Sequence, residues 1–376
     1  NMIYLDNAAT TRPDKDAVEA ALPYLHDKYF NPSALYGGGV LVQGELRRAR
    51  EYLLSQAADK TRFELYFTSC GSEADNTAIF SAARRGNAVT TAGEHAAVFQ
   101  SFSELKQRNI EPRFAPLLSD GRVDTEALLS LVDDKTTLVS VVHVNNETGA
   151  VNDIASLAKA VKKKNPRCLF LSDGVQAFGK LPFRLTPDID FYAISAHKIG
   201  GAKGTGALIR RKGVPLSPYI FGGGQEGGLR SGTENVFGIL CFEAAAKKKF
   251  STLESDFSRL KIYCEQLYSA LDKEIFLRIS PEDGTPYILT VAAKNLRGEI
   301  LQRLLEERGV LVGTGSACSS KHPVSRVITA CGVGKEYLNG VLRFSFSPAT
   351  TEEEVQTAAQ AANSAAHELI ARTARS

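Results

Sequence analysis

The sequence predicts an α/β protein built on a mostly parallel sheet that is covered by helices. Between residues 60 and 210, short apolar segments typical of strands alternate with segments whose apolar residues recur at helical spacing. Beyond residue 250 this alternation stops and a long helix is predicted. The 376 residues are enough for two domains. We therefore expect a large α/β domain over 15–250 and a smaller α+β domain formed by 1–14 and 251–376.

Five short segments have the composition of buried strands. Each is dominated by apolar or β-branched residues, and polar or glycine-containing sequence follows it. The predicted strands are residues 63–68, 88–91, 137–144, 168–172 and 191–195.

Helical periodicity is clearest in three segments. Residues 154–161 place apolar side chains at i, i+3, i+4 and i+7, and lysines followed by Asn-Pro end the pattern. Residues 253–271 carry an apolar stripe at alternating spacings of four and three, which predicts one long helix. A final helix is predicted to begin at Thr351, because Glu354 completes a capping box with it.

The composition excludes several classes of protein. Hydrophobic residues make up 43% and charged residues 23%, as in ordinary globular proteins. The net charge of +3 is too small to indicate binding to nucleic acid or to an anionic membrane, and we expect neither partner. No apolar run approaches the roughly 20 residues of a membrane span, and no secretion signal is recognisable.

The cysteine pattern argues against a metal site and against a disulfide scaffold. The six cysteines form no C-x-x-C pair, which disfavours zinc-ribbon and thioredoxin-like motifs, and we expect no metal site. Six cysteines in a chain of this length are also too sparse for a disulfide framework. The prediction is a protein of the reducing cytoplasm.

Small residues after the first predicted strand suggest an anion site. Cys70, Gly71 and Ser72 open a predicted helix, and free N–H groups at a helix N-terminus attract a phosphate. A simple helix cap at Ser72 is the alternative interpretation. Neither a P-loop nor a dinucleotide-binding glycine pattern is present, so ATP and nicotinamide dinucleotides are disfavoured.

Two further strand ends carry an acid and a lysine. Asp173, with Gln176 three residues later, follows residues 168–172, and Lys198 follows residues 191–195. Taken alone, the acid could be a helix cap and the lysine a surface residue in a turn. A desolvated lysine, however, can form a Schiff base with an aldehyde. A phosphate cradle, an acid able to keep a pyridine nitrogen protonated and such a lysine together indicate pyridoxal phosphate.

The chain resembles the cysteine desulfurases of the NifS/IscS type, within the class V aminotransferase-like enzymes that depend on pyridoxal phosphate. The similarity runs nearly from end to end, and its segments occur in register. The most specific segments are HVNNETG at 143–149, SAHK at 195–198, GGGQE at 222–226, RSGTEN at 230–235 and GSAC at 315–318.

The resemblance implies a fold-type I subunit whose cofactor is pyridoxal 5'-phosphate. Lys198 would hold the cofactor covalently, and Asp173 would pair with the ring nitrogen. His95 would stack on the ring and move protons. The other implied cofactor contacts are Gly71, Ser72, Asn146, Gln176, Ser195, His197 and, from a neighbouring subunit, Thr233.

The resemblance also implies the reaction. Arg343, with Asn146 nearby, would bind the substrate carboxylate through its planar fork. Cys318 would attack the sulfur of L-cysteine as a thiolate, so that L-alanine leaves and sulfur stays as a persulfide. The persulfide would pass to an iron–sulfur scaffold or a tRNA-thiolation relay. A homodimer would share its active sites.

Two alternatives remain open at this stage. A selenocysteine lyase, or another class V enzyme, would use the same cofactor without needing the thiol of Cys318. A sulfur carrier that has kept only the fold would not need Lys198, Asp173, His95 and Arg343 together. Cys70 is expected to be structural.

Overall fold

The computed structural model describes residues 1–315 and 324–376, and their secondary structure forms two sheets with surrounding helices. The strands are β1 (Ile3–Leu5), β2 (Phe63–Thr68), β3 (Gly86–Thr91), β4 (Ile110–Ala115), β5 (Thr136–Ser140), β6 (Leu169–Asp173), β7 (Phe191–Ser195), β8 (Gly206–Arg211), β9 (Phe276–Arg278), β10 (Ile288–Ala293), β11 (Val310–Thr314) and β12 (Val341–Ser345). The helices are α1 (Lys15–Ala21), α2 (Gly37–Ser55), α3 (Gly71–Ala82), α4 (Ala96–Glu104), α5 (Thr125–Ser130), α6 (Ile154–Lys164), α7 (Val236–Ser251), α8 (Leu253–Ala270), α9 (Gly298–Glu307), α10 (Arg326–Ala330), α11 (Lys335–Leu338) and α12 (Glu352–Ala374).

The larger sheet has seven strands in the order β2-β8-β7-β6-β5-β3-β4. Strands β4, β3, β5, β6 and β7 are parallel, while β8 pairs antiparallel with both β7 and β2. Strand β2 therefore runs in the same direction as β7. The predicted α/β architecture with a mostly parallel sheet is confirmed, and the carboxyl ends of β2, β3, β5, β6 and β7 lie at one edge.

The smaller sheet has five strands in the order β1-β11-β12-β10-β9. Strand β1 comes from the start of the chain and pairs parallel with β11, with Tyr4 opposite Leu311. This sheet has its own apolar core, which includes Leu289, Val291 and Phe344. The boundaries predicted at residues 14 and 250 stay a prediction, which the separate core of the smaller sheet supports.

The predicted helices form where their capping and periodicity indicate. Helix α6 ends in three lysines, and α8 buries Leu260 and Leu267 from the predicted apolar stripe. Helix α12 begins after Thr351, whose side chain and that of Glu354 make the complete capping box. Within the described ranges, no helix combines the length and the apolar character needed to cross a membrane.

Strand β5 ends earlier than the sequence predicts. The apolar run continues to residue 144, but the strand stops at Ser140. Beyond it, the N–H of Val142 donates to the Glu94 Oε2 at 3.0 Å, so a side chain replaces the neighbouring strand as acceptor. On the other side, His143 still donates its N–H to the Asp173 carbonyl. The backbone thus leaves the sheet gradually and carries residues 142–146 over its carboxyl edge.

Gly174, directly after β6, provides a test of packing at this edge. A Cβ atom there would lie 1.9 Å from the Cζ of Tyr192. This tyrosine is fully buried, and its hydroxyl forms a hydrogen bond of 2.7 Å with the Nδ1 of His143. We expect Gly174→Ala to lower the free energy of unfolding by about 1–3 kcal/mol or more, because the ring cannot move aside.

Gly44 is the matched control, since it lies inside α2 with open space around it. Gly44→Ala is expected to raise the free energy of unfolding by up to about 1 kcal/mol. Urea denaturation measures both variants, and equal stability of the two would contradict the close packing described for Gly174.

Candidate active site

The loops after five strands enclose a cavity of about 290 Å³ at the carboxyl edge of the larger sheet. Ligands of open α/β sheets bind at this edge. The cavity contains every predicted cofactor-contacting residue except Thr233. Its lining residues are Cys70, Gly71, Ser72, Asp75, His95, Val142, Val144, Asn146, Asp173, Val175, Gln176, Ser195, His197 and Lys198.

One end of the cavity is suited to an anion. Helix α3 begins at Gly71, and the cap is Cys70, whose Sγ accepts the N–H of Glu73 at 3.4 Å. The alternative of a cap at Ser72 is therefore wrong, and the N–H groups of the first helical turn have no acceptor within the helix. A Cβ at Gly71 would come within 2.8 Å of Val175, so glycine is needed for this close approach.

Ser195, the last residue of β7, lies at the same end of the cavity, close to Gly71. Its Oγ is buried and has no hydrogen-bond partner in residues 1–315 or 324–376. His197 is held by Thr10, whose Oγ1 lies 3.0 Å from the ring Nδ1. Burial, followed by the charge of Lys198, lowers the pKa of His197 to about 4, so the ring is neutral at physiological pH. This end of the cavity therefore offers hydrogen-bond donors rather than a cation.

Lys198 is held over the cavity by backbone carbonyls of the N-terminal segment. Its Nζ donates to the carbonyl of Ala8 at 2.5 Å and to that of Ala9 at 2.7 Å. Burial and then the charge of Arg343 lower the pKa of Lys198 to about 8, while Asp173 acts in the opposite direction. The residue is not a surface lysine in a turn, and a substantial fraction of its amine is neutral near physiological pH.

Asp173 and Gln176 belong to the part of the cavity lining that follows β6. Asp173 is buried, and its Oδ1 accepts the N–H of Val175 at 3.0 Å in a turn rather than at a helix start. Gln176 donates from Nε2 to the Ala8 carbonyl at 3.0 Å, and its Oε1 accepts from Lys180 at 3.2 Å. These two contacts determine which way the amide of Gln176 points.

His95 is the cap of α4. Its Nδ1 accepts the N–H of Ala97 at 3.1 Å, which assigns the proton of the neutral ring to Nε2. The surrounding protein lowers the pKa of His95, and the charges of Lys198 and Arg326 act in the same direction, although the ring itself faces open space. At neutral pH the ring therefore donates a hydrogen bond from Nε2. Taking up a proton at Nδ1 would break the cap with Ala97.

Arg343, on β12, lies beside the cavity rather than in its lining. Its Nη1 donates to the Asn146 carbonyl at 2.9 Å, and its Nη2 pairs with Asp6 Oδ1 at 3.2 Å. Its Nε is buried without a partner among the described residues. A Cβ at Gly313, which is opposite Arg343 in the sheet, would come within 2.8 Å of Asp6 Oδ1 and 3.2 Å of Arg343 Nη2. Glycine at 313 therefore leaves room for this ion pair.

One predicted cofactor contact is not brought into the cavity. Thr233 is exposed in the single chain and does not line it. Cys318 lies outside the described residues. The described residues on either side of 316–323 do lie near the cavity. Gly313 pairs with Arg343, and Ser325 donates from Oγ to Glu147 Oε1 at 2.5 Å.

The part that the N-terminal segment plays was not predicted from the sequence. The Ala8 carbonyl accepts hydrogen bonds from both Lys198 and Gln176. A backbone carbonyl has no side-chain signature, so no pattern in the sequence could have indicated it. Asp75 was also missed, because a single polar residue within a predicted helix is not a signal.

The amino-acid sequence matches the family model described as aminotransferase class-V over residues 3–357. The chain belongs to the class-V aminotransferase family. A relative from a Nostoc species named cysteine desulfurase is 36% identical over 365 residues, covering 94% of this chain and 90% of its own length.

Two solved structures support the same membership. A NifS-like protein has a TM-score of 0.92 at 34% identity, and the match covers 98% of this chain and all of the other. A structure described as SspA in complex with cysteine has a TM-score of 0.81 at 27% identity, with coverage of 93% and 99%.

The cavity fits the cofactor of this family, pyridoxal 5'-phosphate. The unpartnered Ser195 Oγ and the first turn of α3 match the needs of a phosphate group. The lowered pKa of Lys198 suits an amine that bonds to an aldehyde. Buried Asp173 lies in the same lining, as a partner for a protonated ring nitrogen requires.

Glu94, which directly precedes His95, should make the stability of the folded protein depend on pH. Its carboxyl group is fully buried, and Oε2 accepts from Thr91 Oγ1 at 2.6 Å and from the N–H of Val142. Burial raises the pKa of Glu94 from 4.5 to about 8. At pH values between 4.5 and about 8, Glu94 keeps its proton in the folded protein but has lost it in the unfolded chain. The stability of the folded protein therefore falls as the pH rises through this window.

We expect Glu94→Gln to remove this loss while keeping an oxygen acceptor for both donors. The free energy of unfolding of the variant should exceed that of the wild type by a margin that grows between pH 5 and pH 8, up to about 4 kcal/mol. Denaturant titrations at several pH values measure the difference. Parallel pH profiles would show that Glu94 does not titrate in this way.

Proposed function

We propose that this chain is a pyridoxal-phosphate-dependent cysteine desulfurase, which converts L-cysteine to L-alanine and carries the sulfur as a persulfide on Cys318. The main support is the cavity itself, where Lys198 with its lowered pKa shares a lining with Asp173 and His95. The named relatives and the cysteine-bound structural neighbour indicate the substrate.

In this proposal the chain holds the cofactor at several points. Pyridoxal 5'-phosphate, when bound, supplies an electron sink for negative charge at the α-carbon of an amino acid. Asp173 would keep the ring nitrogen protonated, because an opposite charge nearby favours the cationic form. Gln176 would face the ring hydroxyl. The phosphate would be held by Gly71, Ser72, Ser195 and His197.

Lys198 would hold the cofactor through Nζ and also move a proton there. Because the pKa of Lys198 is about 8, the charged and the neutral forms of the amine are both accessible near neutral pH. Nζ can therefore release and accept a proton there. His95, with its proton on Nε2, would stack on the ring and donate a hydrogen bond. Its cap contact with Ala97 holds the ring plane in place.

Arg343 would bind the substrate carboxylate, with Asn146 beside it. Two of the arginine's nitrogens are already engaged by Asn146 and Asp6, which fixes the plane of the guanidinium group before substrate arrives. The buried and unpartnered Nε shows that its donors are not exhausted. An arginine preorganised in this way loses little conformational entropy when it binds a carboxylate.

The described cysteines are mostly poor candidates for the nucleophile. Burial raises the pKa of Cys168 and Cys264 to about 12 and that of Cys331 to about 11, which keeps them as unreactive thiols. Cys70 borders the cavity and is the one described competitor of Cys318. The assignment of Cys318 rests on its place in the GSAC segment, which follows Gly313, the residue paired with Arg343 in the smaller sheet.

We further propose a homodimer with shared active sites. The segment that carries Thr233 is clamped by two ion pairs, between Arg230 and Glu73 and between Arg50 and Glu226, so its exposed face is held in a defined position. A second argument for a dimer is that several large apolar side chains are exposed in the single chain. They include Leu35, which is 94% exposed, Phe221, Tyr29 and Tyr36.

The acceptor of the sulfur would be an iron–sulfur scaffold or a tRNA-thiolation relay, in the cytoplasm. The cysteines of the described ranges are free thiols, which agrees with a reducing compartment.

The first experiment measures alanine and sulfide formed from L-cysteine in the presence of dithiothreitol. The wild type should form the two products in equal amounts. Cys318→Ala should reduce both by more than about a thousandfold while cofactor binding is kept, because the nucleophile is lost. Cys70→Ser is the matched control, since serine can keep the cap of α3.

Loss of both products in Cys70→Ser but not in Cys318→Ala would show that Cys70 carries the sulfur, and would contradict the assignment of Cys318. Turnover of L-selenocysteine that survives in Cys318→Ala, without any desulfuration of L-cysteine by the wild type, would instead favour a selenocysteine lyase.

A subunit-mixing experiment tests the shared site. Thr233→Glu should fold normally because residue 233 is exposed, but in a dimer its carboxylate would repel the phosphate of the partner's cofactor. Lys198→Ala should be inactive for a different reason. After complete exchange of equal amounts, about half of the dimers are mixed, and each mixed dimer contains one intact site of two. Activity should therefore return to about a quarter of the wild-type value.

Thr373→Glu, on the exposed end of α12, is the control for adding a carboxylate and should keep full activity. Verified exchange of subunits without any recovery of activity would argue that each chain builds its site alone.

A further inference from the structure

Asp75 is a buried carboxyl group for which the reaction above has no use. It lies one turn into α3, its side chain is 1% exposed, and it borders the same cavity as Asp173. Neither of its oxygens has a hydrogen-bond donor in the described part of the chain. An ionised carboxylate in such a position would lose its hydration without any compensation.

The ionisable groups that act on the Asp75 carboxyl group are all acids. They are Asp173 at the end of β6, Glu94 after β3 and Cys70 at the start of α3 itself. Burial raises the pKa of Asp75 well above its usual value, and the nearby Asp173 carboxylate raises it further. The nearest lysine of the cavity, Lys198, is engaged by the carbonyls of Ala8 and Ala9 instead.

Asp173, in contrast, has a donor that favours its charged form. Its Oδ1 accepts the backbone N–H of Val175. Two buried carboxyl groups that line one cavity repel each other when both are ionised, which favours a proton on one of them. The unequal donors indicate which partner keeps the proton, namely Asp75.

We propose that Asp75 is a positioning residue that remains protonated and donates a hydrogen bond from its carboxyl group to the carboxylate of Asp173. A hydrogen bond to a charged form stabilises that form, so Asp75 keeps Asp173 ionised and fixes its orientation. This inference rests on the proposed function in one respect, since the value of an ionised Asp173 is to hold the protonated ring nitrogen of the cofactor.

Two substitutions separate this role from simple space filling. Asp75→Asn keeps a donor, the side-chain amide, and cannot ionise. Asp75→Val has a similar size but no donor. The cofactor affinity of each is measured by titrating the apoprotein with pyridoxal 5'-phosphate. Asp75→Asn should bind within about threefold of the wild type, whereas Asp75→Val should bind about 10–100-fold more weakly, as expected for the loss of a hydrogen bond to a charged group.

Infrared spectroscopy of the apoprotein observes the proton directly. The difference spectrum between wild type and Asp75→Asn at neutral pH should contain the carbonyl stretch of a protonated carboxylic acid. Labelling the aspartates with ¹³C should shift that band, which distinguishes it from any band of protonated Glu94.

Absence of the band, or equal weakening of cofactor binding by both substitutions, would overturn the proposal. If Asp75→Val does not fold, the infrared spectrum of Asp75→Asn still decides. Neither readout depends on turnover. A wild type that shows the band and binds the cofactor but forms no alanine would overturn the proposed function and leave the role of Asp75 intact.

Discussion

The common direction of strands β2, β3, β5, β6 and β7 is the constraint on which the site depends. Because these strands end at one edge, residues separated by more than a hundred positions, such as Gly71 and Lys198, line one cavity of about 290 Å³. The N-terminal segment closes the arrangement, since the Ala8 carbonyl accepts hydrogen bonds from Lys198 and Gln176. The cavity therefore needs both sheets to be in place.

Burial acts on the charges of this cavity in a consistent way. It lowers the pKa of Lys198 to about 8 and raises that of Glu94 to about 8, so both groups move towards their neutral forms. Asp75 is affected in the same direction as Glu94. The groups that stay charged are those with a specific partner, as Arg343 has in Asp6. A site of this kind can hold a zwitterionic substrate without surplus charges that would compete for it.

Much of the site was accessible from the sequence, because side chains after predicted strands must meet at one edge of a parallel sheet. What could not be predicted involves atoms without a local signature. The end of β5 depends on the Glu94 carboxylate, which is 48 residues away and replaces a strand as acceptor. The carbonyls that hold Lys198 are likewise placed only by tertiary contacts, whereas Cys70 Sγ caps α3 through a local contact with Glu73. The contact proposed for Thr233 would involve a second chain, which one sequence read alone cannot position.

The contacts of Arg326 connect the smaller part of the chain to His95 of the larger one, the residue proposed to move protons. Its guanidinium group lies 3.6 Å from the centre of the Phe99 ring, and its Nη2 donates to the Glu94 carbonyl at 2.7 Å. Glu94 directly precedes His95, so Arg326 both holds the backbone that orients the imidazole and adds a positive charge that lowers the pKa of His95. Ser325 bonds to Glu147 in the segment that also meets Arg343 through Asn146. The groups proposed to bind the substrate carboxylate and to act on its protons are thus positioned by neighbouring residues of one short segment. A displacement of that segment would therefore disturb binding and proton transfer together.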